Sequence, residues 1–285
     1  MVLMNTSKIL FALMVSTMIL FLSGCQNFLV NSSAFFPQKI NLNQPPPNDE
    51  RFEELFFDSL DGKRLQALYF DYPESEQVVV FFHGNAGHLY QRISHALALY
   101  ERGVSVFLLS YRGYGKSEGR PSEQGVYKDA QATMNYVRDE LGFAEEQTFI
   151  LGRSLGSAVA IEVAQNKNLA GLILVTPLSS GRDMARYRNL GWAVGLIGHP
   201  LDSISKVKHL QMSSLFIHGD ADWVIPIEQG QRLFKAYASE NKIFKTVVGA
   251  GHLNIISAAG PVYWDLMREF IEVNNHKIQK NEANN

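Results

Sequence analysis

The stretch Gln147-Thr148-Phe149-Ile150-Leu151-Gly152-Arg153-Ser154-Leu155-Gly156-Ser157-Ala158 decides how the whole chain is read. It runs from an apolar, strand-like segment through a G-x-S-x-G pentapeptide, Gly152 to Gly156, into a helix-like segment from Ala158 to Gln165. Strand, pentapeptide and helix in that order form the context of a nucleophile elbow. The requirement is steric. A serine held on a tight strand-to-helix turn has a strained backbone, so the residues two places away on either side have to lack bulk. Gly152 and Gly156 meet that need. Such a turn pushes the Ser154 hydroxyl off the sheet edge and sets the Leu155 N–H at a helix N-terminus, where peptide dipoles favour a developing oxyanion. The pentapeptide alone is common; its flanks give it weight.

Outward from the elbow, the apolar pattern repeats. Phe52 to Phe57 and Leu65 to Phe70 flank Asp61-Gly62, a hairpin turn signal. Val78 to Phe82, Val104 to Leu109, Phe149 to Leu151 and Leu172 to Val175 are continuous apolar runs, as expected of strands buried on both faces. Leu215 to Ile217 and Ile243 to Val248 complete the set, with helical stretches between at Leu89 to Arg102, Gln124 to Leu141, Ser157 to Lys167, Ile227 to Ser239 and Leu253 to Val273. A hairpin followed by strict strand–helix alternation predicts an α/β fold with a mostly parallel central sheet flanked by helices. Function in such sheets collects at the C-terminal ends of the strands.

A serine hydroxyl needs a base, and the base needs an orienting acid. The candidate base is His252, after the last strand in Val248-Gly249-Ala250-Gly251-His252. The candidate acid is Asp222, after the preceding strand in His218-Gly219-Asp220-Ala221-Asp222-Trp223-Val224-Ile225-Pro226. The chain order Ser154, Asp222, His252 is that of the α/β-hydrolases and not of the other two main serine-protease folds.

On these motifs the chain resembles the α/β-hydrolase superfamily from about Phe52 to Val273. Within it, the resemblance is to the membrane-associated "α/β-hydrolase domain-containing" serine hydrolases. The shared features are His83-Gly84-Asn85, Tyr111 to Ser117, the elbow Gly152 to Gly156, the acid loop His218 to Pro226, and Gly251-His252. The resemblance implies Ser154 as nucleophile, His252 as base and Asp222 in the acid position. Asp220 is the competitor, more at home bracing its loop through backbone N–H groups. The resemblance also makes the backbone N–H of Asn85 the second oxyanion donor beside that of Leu155. It implies cleavage of a carboxylic ester or thioester through an acyl-enzyme, with no cofactor. A peptidase or amidase of the same fold, and a non-catalytic lipid-anchored binding protein, stand as alternatives.

Other conspicuous residues have plainer readings. His83 is expected to hydrogen-bond within its loop. His83 and His88 have no carboxylate at ligand spacing and are not read as a metal pair. Arg112 is expected to brace the glycine-rich loop Arg112 to Gly115, and Arg153 to meet a nearby carboxylate or carbonyl. With 26 Lys and Arg against 28 Asp and Glu and no basic run, a nucleic-acid partner is not expected.

Before the domain, Ile9 to Leu22 is almost wholly apolar behind Lys8, the shape of a secretory signal. It ends in Leu22-Ser23-Gly24-Cys25, which resembles a bacterial lipobox, and Cys25 is the chain's single cysteine. That likeness implies a signal peptide over 1–24 and acylation of Cys25, palmitate included. It further implies a cell-envelope protein on the outer membrane facing the periplasm, because Gln26 is not the aspartate of inner-membrane retention. Residues 25–50, with Pro45-Pro46-Pro47, read as a tether in which only Phe35-Phe36-Pro37 is suited to docking. The hydrolase domain then spans 51–276 and a polar tail 277–285. Leu178 to Met212 is too long for a simple connection and, by the resemblance, forms a short lid. Its apolar segment Trp192 to Gly198, flanked by Arg182, Arg186 and Arg188, either faces lipid and acyl chains or packs on its own domain.

Overall fold

The computed structural model describes residues 31–195 and 197–282; Cys25, with the whole signal reading, and Leu196, in the segment read as a lid, lie outside the described residues. Eight strands form one sheet: β1 Glu53–Asp58, β2 Arg64–Phe70, β3 Val78–Phe82, β4 Ser105–Ser110, β5 Thr148–Arg153, β6 Gly171–Val175, β7 Ser214–Gly219 and β8 Lys242–Val247. Their spatial order is β8-β7-β6-β5-β3-β4-β2-β1. β2 pairs antiparallel with β1 and with β4, and every pair from β4 to β8 is parallel. The expected α/β fold is observed.

The continuous apolar runs follow from this burial. All five residues of β3 are buried, Val78, Val80 and Phe82 on one face and Val79 and Phe81 on the other. The first face is covered by helices α2 (Glu123–Asp139), α3 (Leu155–Val163) and α6 (Ile227–Ala236), the second by α1 (Ile93–Tyr100) and α8 (Val262–Glu282). Each fully buried Val, Leu or Phe contributes roughly 1.5–3 kcal/mol relative to its exposed state. At the edge, β8 is only half-buried and carries Lys242 and Lys245, charges that discourage another strand from adding there.

Three expectations need correction. The helix expected over Leu253 to Val273 is two, α7 (Ile255–Ala259) and α8, broken at Gly260, which has φ of 61°, and at Pro261, which has no N–H to donate. Helix α8 also continues into the segment read as a polar tail. The tether docks through Phe35-Phe36-Pro37, the cluster suited to it, and, beyond that expectation, through Ile40 as well. Phe35 and Ile40 are buried, and Phe36–Pro37 pairs in parallel with Ala86–Gly87. Apolar Phe35 and Ile40 in an otherwise polar segment are what dock it, so the folded unit begins well before residue 51.

The segment read as a lid, between β6 and β7, is made of short pieces: α4 (Gly181–Tyr187), a 3-10 turn at Gly191–Ala193, α5 (Ser203–Lys206) and a second 3-10 turn at Val207–His209. Ser180 caps α4 by accepting from the Asp183 N–H, and Arg182 reaches the Gly198 carbonyl.

Candidate active site

Ser154 follows β5 directly and caps α3 with φ of 55° and ψ of −122°, a conformation an L-residue adopts only when its surroundings impose it. The surroundings do. A Cβ on Gly152 would lie 2.6 Å from the Gly156 carbonyl oxygen, and one on Gly156 would overlap the Phe82 carbonyl at the end of β3. The Ser154 N–H donates to the Val175 carbonyl at 2.9 Å, tying the turn to β6.

Two loops at the same edge bring in the other side chains. The Ser154 hydroxyl lies 2.9 Å from Nε2 of His252, whose Nδ1–H donates to Oδ2 of Asp222 at 2.7 Å. Asp222 is buried, and its Oδ1 accepts the N–H groups of Val224 and Ile225, each at 2.9 Å. Burial works against the charge on this carboxyl, yet donors from His218 and His252 and the backbone hold it well below the usual carboxylate range. His218, whose Nε2 donates to the Ile225 carbonyl at 2.9 Å, also lies 3.5 Å from Oδ2 of Asp222. Asp220 points elsewhere and accepts the Gly249 N–H. One aspartate orients the imidazole; the other braces the loop that carries it.

The loop after β3 passes directly over the serine. A Cβ on Gly84 would lie 3.5 Å from Cβ and 4.0 Å from Oγ of Ser154. Asn85 follows. Its carbonyl accepts from the Phe36 N–H at 2.8 Å and from the Tyr114 hydroxyl at 2.6 Å, so the residue is held from outside through the peptide that follows it. Among the described residues the N–H groups of Asn85 and Leu155 have no acceptor. A serine, an imidazole, a carboxylate and two unused N–H donors are the parts of an acyl-transfer site.

The sequence profile described as serine aminopeptidase, S33, matches residues 73–203. The alpha/beta hydrolase domain-containing protein WAV2 of Arabidopsis thaliana is 30% identical over 242 residues, covering 78% of this chain and 79% of that protein. The chain belongs to the α/β-hydrolase superfamily. Protein bem46 of Schizosaccharomyces pombe is 31% identical over 275 residues, 90% of this hydrolase and 88% of bem46. In structure, an esterase of Pyrococcus furiosus superposes with a TM-score of 0.67 at 18% identity, over 84% of this chain and 97% of its own. An alpha-beta hydrolase of Vibrio vulnificus gives 0.66 at 21% identity, over 78% and 81%.

The remaining residues of this hydrolase sort by their partners. His83 is buried, donates from Nδ1 to the Gly84 carbonyl at 2.7 Å, and packs on Tyr111. Burial pushes its pKa down to about 3, so it is neutral in its loop. Arg112 is saturated by Asp129, Asp61 and Ser59. Arg153 donates to the His252 carbonyl at 3.2 Å. No group of three or more His, Cys, Asp or Glu among the described residues could hold a metal ion, and none of the described helices is long and apolar enough to cross a membrane.

The residues that follow Asp222 and His252 are apolar and exposed, Trp223 by 68% and Leu253 by 79%. Trp192, between β6 and β7, is 78% exposed, and the Tyr187 hydroxyl donates to the Trp223 carbonyl, linking that segment to the acid loop. The two readings of the lid segment divide within it: Val194 is buried against the domain and Trp192 is not. Sequence reasoning missed the Phe36 N–H and the Tyr114 hydroxyl behind Asn85, and His218 beside Asp222. The Phe35-Phe36-Pro37 cluster was a usable signal; nothing local announced the other two.

Proposed function

We propose that the protein hydrolyses carboxylic esters or thioesters through an acyl-enzyme on Ser154. The observation that carries this reading is the unbroken hydrogen-bond chain from the Ser154 hydroxyl through His252 to a buried, ionised Asp222. His252 takes the hydroxyl proton as the oxygen attacks the acyl carbonyl, and Asp222 holds the imidazole in the tautomer with its proton on Nδ1. The N–H groups of Asn85 and Leu155 hold the oxyanion; one such donor typically supplies about 2.7–4 kcal/mol of transition-state stabilisation. His252 then gives the proton to the leaving alcohol or thiol; it next takes a proton from water as the water oxygen bonds to the acyl carbon, and returns it to Ser154 Oγ as the carboxylic acid departs. Exposed Trp223 and Leu253, next to Asp222 and His252, support an acyl substituent that lies along an apolar rim.

The family description keeps a peptidase reading alive. An aminopeptidase needs carboxylates for the substrate's ammonium group. The charges nearest the elbow without an ionic partner, Arg92 and Arg153, have the opposite sign, which favours the ester. We further propose that Cys25 carries the lipid anchor and that the enzyme works at the outer membrane facing the periplasm. Labelled palmitate entering the wild type but not Cys25→Ala is the expected result; equal incorporation overturns it.

A fluorophosphonate probe tests the nucleophile. The wild type is expected to label and Ser154→Ala to stay unlabelled, and a wild type that resists the probe removes the hydrolase. A series of nitrophenyl esters beside an aminoacyl anilide tests the bond cleaved. Faster anilide cleavage would replace the esterase by a peptidase.

A further inference from the structure

The chain neutralises its buried cations with care. Arg112 has two carboxylates, and Lys116, also buried, has Glu54 at 2.8 Å. Beside the elbow it does not. Arg153 immediately precedes Ser154 and spends one amino group on the His252 carbonyl. Arg92, just before α1, donates to the Ala86 carbonyl at 2.8 Å, one residue beyond Asn85. Among the described residues neither guanidinium has a carboxylate within 4.0 Å, while each has further N–H groups left to donate. Both are partly buried.

The two lie near enough for the charge of one to act on the other, and each holds a loop of the site. Arg92 ties down the loop that carries Asn85; Arg153 ties down the loop that carries His252. Helix α1 adds His95, whose ring lies 5.9 Å from Trp264 of α8. Nδ1 of His95 and Nδ1 of His88 are buried with no hydrogen-bond partner among the described residues. Burial, and then the charges of Arg153 and Arg92, push the His95 pKa down to about 4, and after burial the charge of Arg153 acts on Arg92 in the same direction. The charge around the two guanidiniums is positive and has no carboxylate to balance it. Arginines and ring nitrogens without acceptors are the donor set that carboxylates and phosphates select.

We propose that Arg92 and Arg153 leave a gap between them that is an anion-binding cradle, in which they take a carboxylate or phosphate group carried by the ester substrate. The proposal rests on the hydrolase reading of Ser154 and narrows it to anionic esters, with the acyl chain on the apolar rim and the charged group between the two loops. Arg153 then has two tasks: it positions the His252 backbone with one amino group and faces the substrate with the rest. An α-ammonium group would be repelled from the same gap.

The test compares three nitrophenyl esters of matched size, one neutral, one with a distal carboxylate and one with a distal phosphate. The wild type is expected to prefer a charged ester by about tenfold or more in kcat/KM, chiefly through KM. That preference is expected to fall to near unity in Arg92→Gln and to return in part in Arg92→Lys. The better of the two charged esters names the group. Lys235→Gln, an exposed charge on α6, controls for net charge and keeps the preference. A wild type indifferent to the charge, or a preference that survives in Arg92→Gln, overturns the cradle. Calorimetric titration with inorganic phosphate separates this from the nucleophile: phosphate bound by wild type and Ser154→Ala but not Arg92→Gln supports the cradle even where the fluorophosphonate probe fails. Phosphate heats equal in all three, or absent from the wild type while the probe labels, sink the cradle and leave the hydrolase reading to the probe.

Discussion

The Arg112 network and the Ser154 elbow lie two strands apart at the C-terminal edge of the same sheet, and they bury polar groups by different rules. At the end of β4, Arg112 meets Asp129 at 2.8 Å and Asp61 at 2.8 Å, and Ser59 bonds both Arg112 and Asp129. Asp129 also accepts the Arg112 backbone N–H. Charge and hydrogen bonds close on themselves there. At the end of β5, Ser154 has φ of 55°, and Thr176 after β6 has φ of 45° with its hydroxyl buried and unpartnered. Two N–H donors face the serine without an acceptor, and two guanidiniums nearby lack carboxylates. A closed network adds only stability. An open one, strained at about 1–3 kcal/mol per residue, is kept for a ligand that completes it.

Five outcomes would break or sharpen that contrast. The largest effect is expected from Ser154→Ala: kcat for a nitrophenyl ester should fall roughly 10⁶-fold, with Tm little changed because the hydroxyl holds no fold contact beyond His252. Comparable loss of Tm would make the elbow architectural. Next, Asp222→Asn should lower kcat about 10⁴-fold, because an amide beside Nδ1 no longer selects the productive tautomer; activity within tenfold of wild type would remove Asp222 from the triad.

The reverse pattern is expected across the sheet. Asp129→Ala leaves the Arg112 charge buried and half-paired, at a cost of about 3–5 kcal/mol, seen as a Tm lower by roughly 10 °C or more. The folded fraction should keep its kcat. A severe catalytic defect in folded protein would tie the two regions together.

The docked tether lies between these extremes. A chain starting at residue 41 loses the Phe36 donor to the Asn85 carbonyl and should lose about 10- to 100-fold in kcat while retaining its circular dichroism. Tyr114→Phe removes the second donor and should fall in the same direction by less. Unchanged kcat in both would show that the oxyanion peptide holds itself.

The smallest effect is a pH dependence. The Arg112 hydrogen bond above all, against a lesser opposing effect of burial, holds the Asp61 carboxyl at about 2 instead of its ordinary 3.8. A depressed carboxyl stabilises the fold above its unfolded pKa and loses that contribution as pH falls through the folded one. The Tm gap between wild type and Asp61→Asn should therefore hold steady down to about pH 4 and narrow toward about pH 2. A gap that stays constant would mean the pair is too solvated to matter.

How far the site was legible depends on the range of the physics involved. The elbow was legible because its constraint is local: Gly152 and Gly156 must lie two residues from Ser154 wherever the turn occurs. The strands were legible because burial on both faces demands unbroken apolar runs, as in Val78 to Phe82. The break at Gly260-Pro261 was within reach of the same local reasoning and was obscured by the apolar periodicity continuing on either side. Docking by Phe35-Phe36-Pro37 was legible from its apolar character; the spacer reading failed at Ile40 because docking depends on a receiving surface assembled from Ala86, Gly87 and Gly115, residues far along the chain.

Sequence by itself determined the order of elements, the strained turn and the three residue types that hydrolysis needs, since each follows from sterics and burial within a few neighbouring residues. Tertiary structure alone decided that Asp222 and not Asp220 meets His252, that the tether clamps Asn85, and that Arg112 is neutralised while Arg92 and Arg153 are not. Hydrogen bonds and ion pairs act over about 3–4 Å. Residues 30 to 100 positions apart come within that range only once the sheet has set where each loop begins.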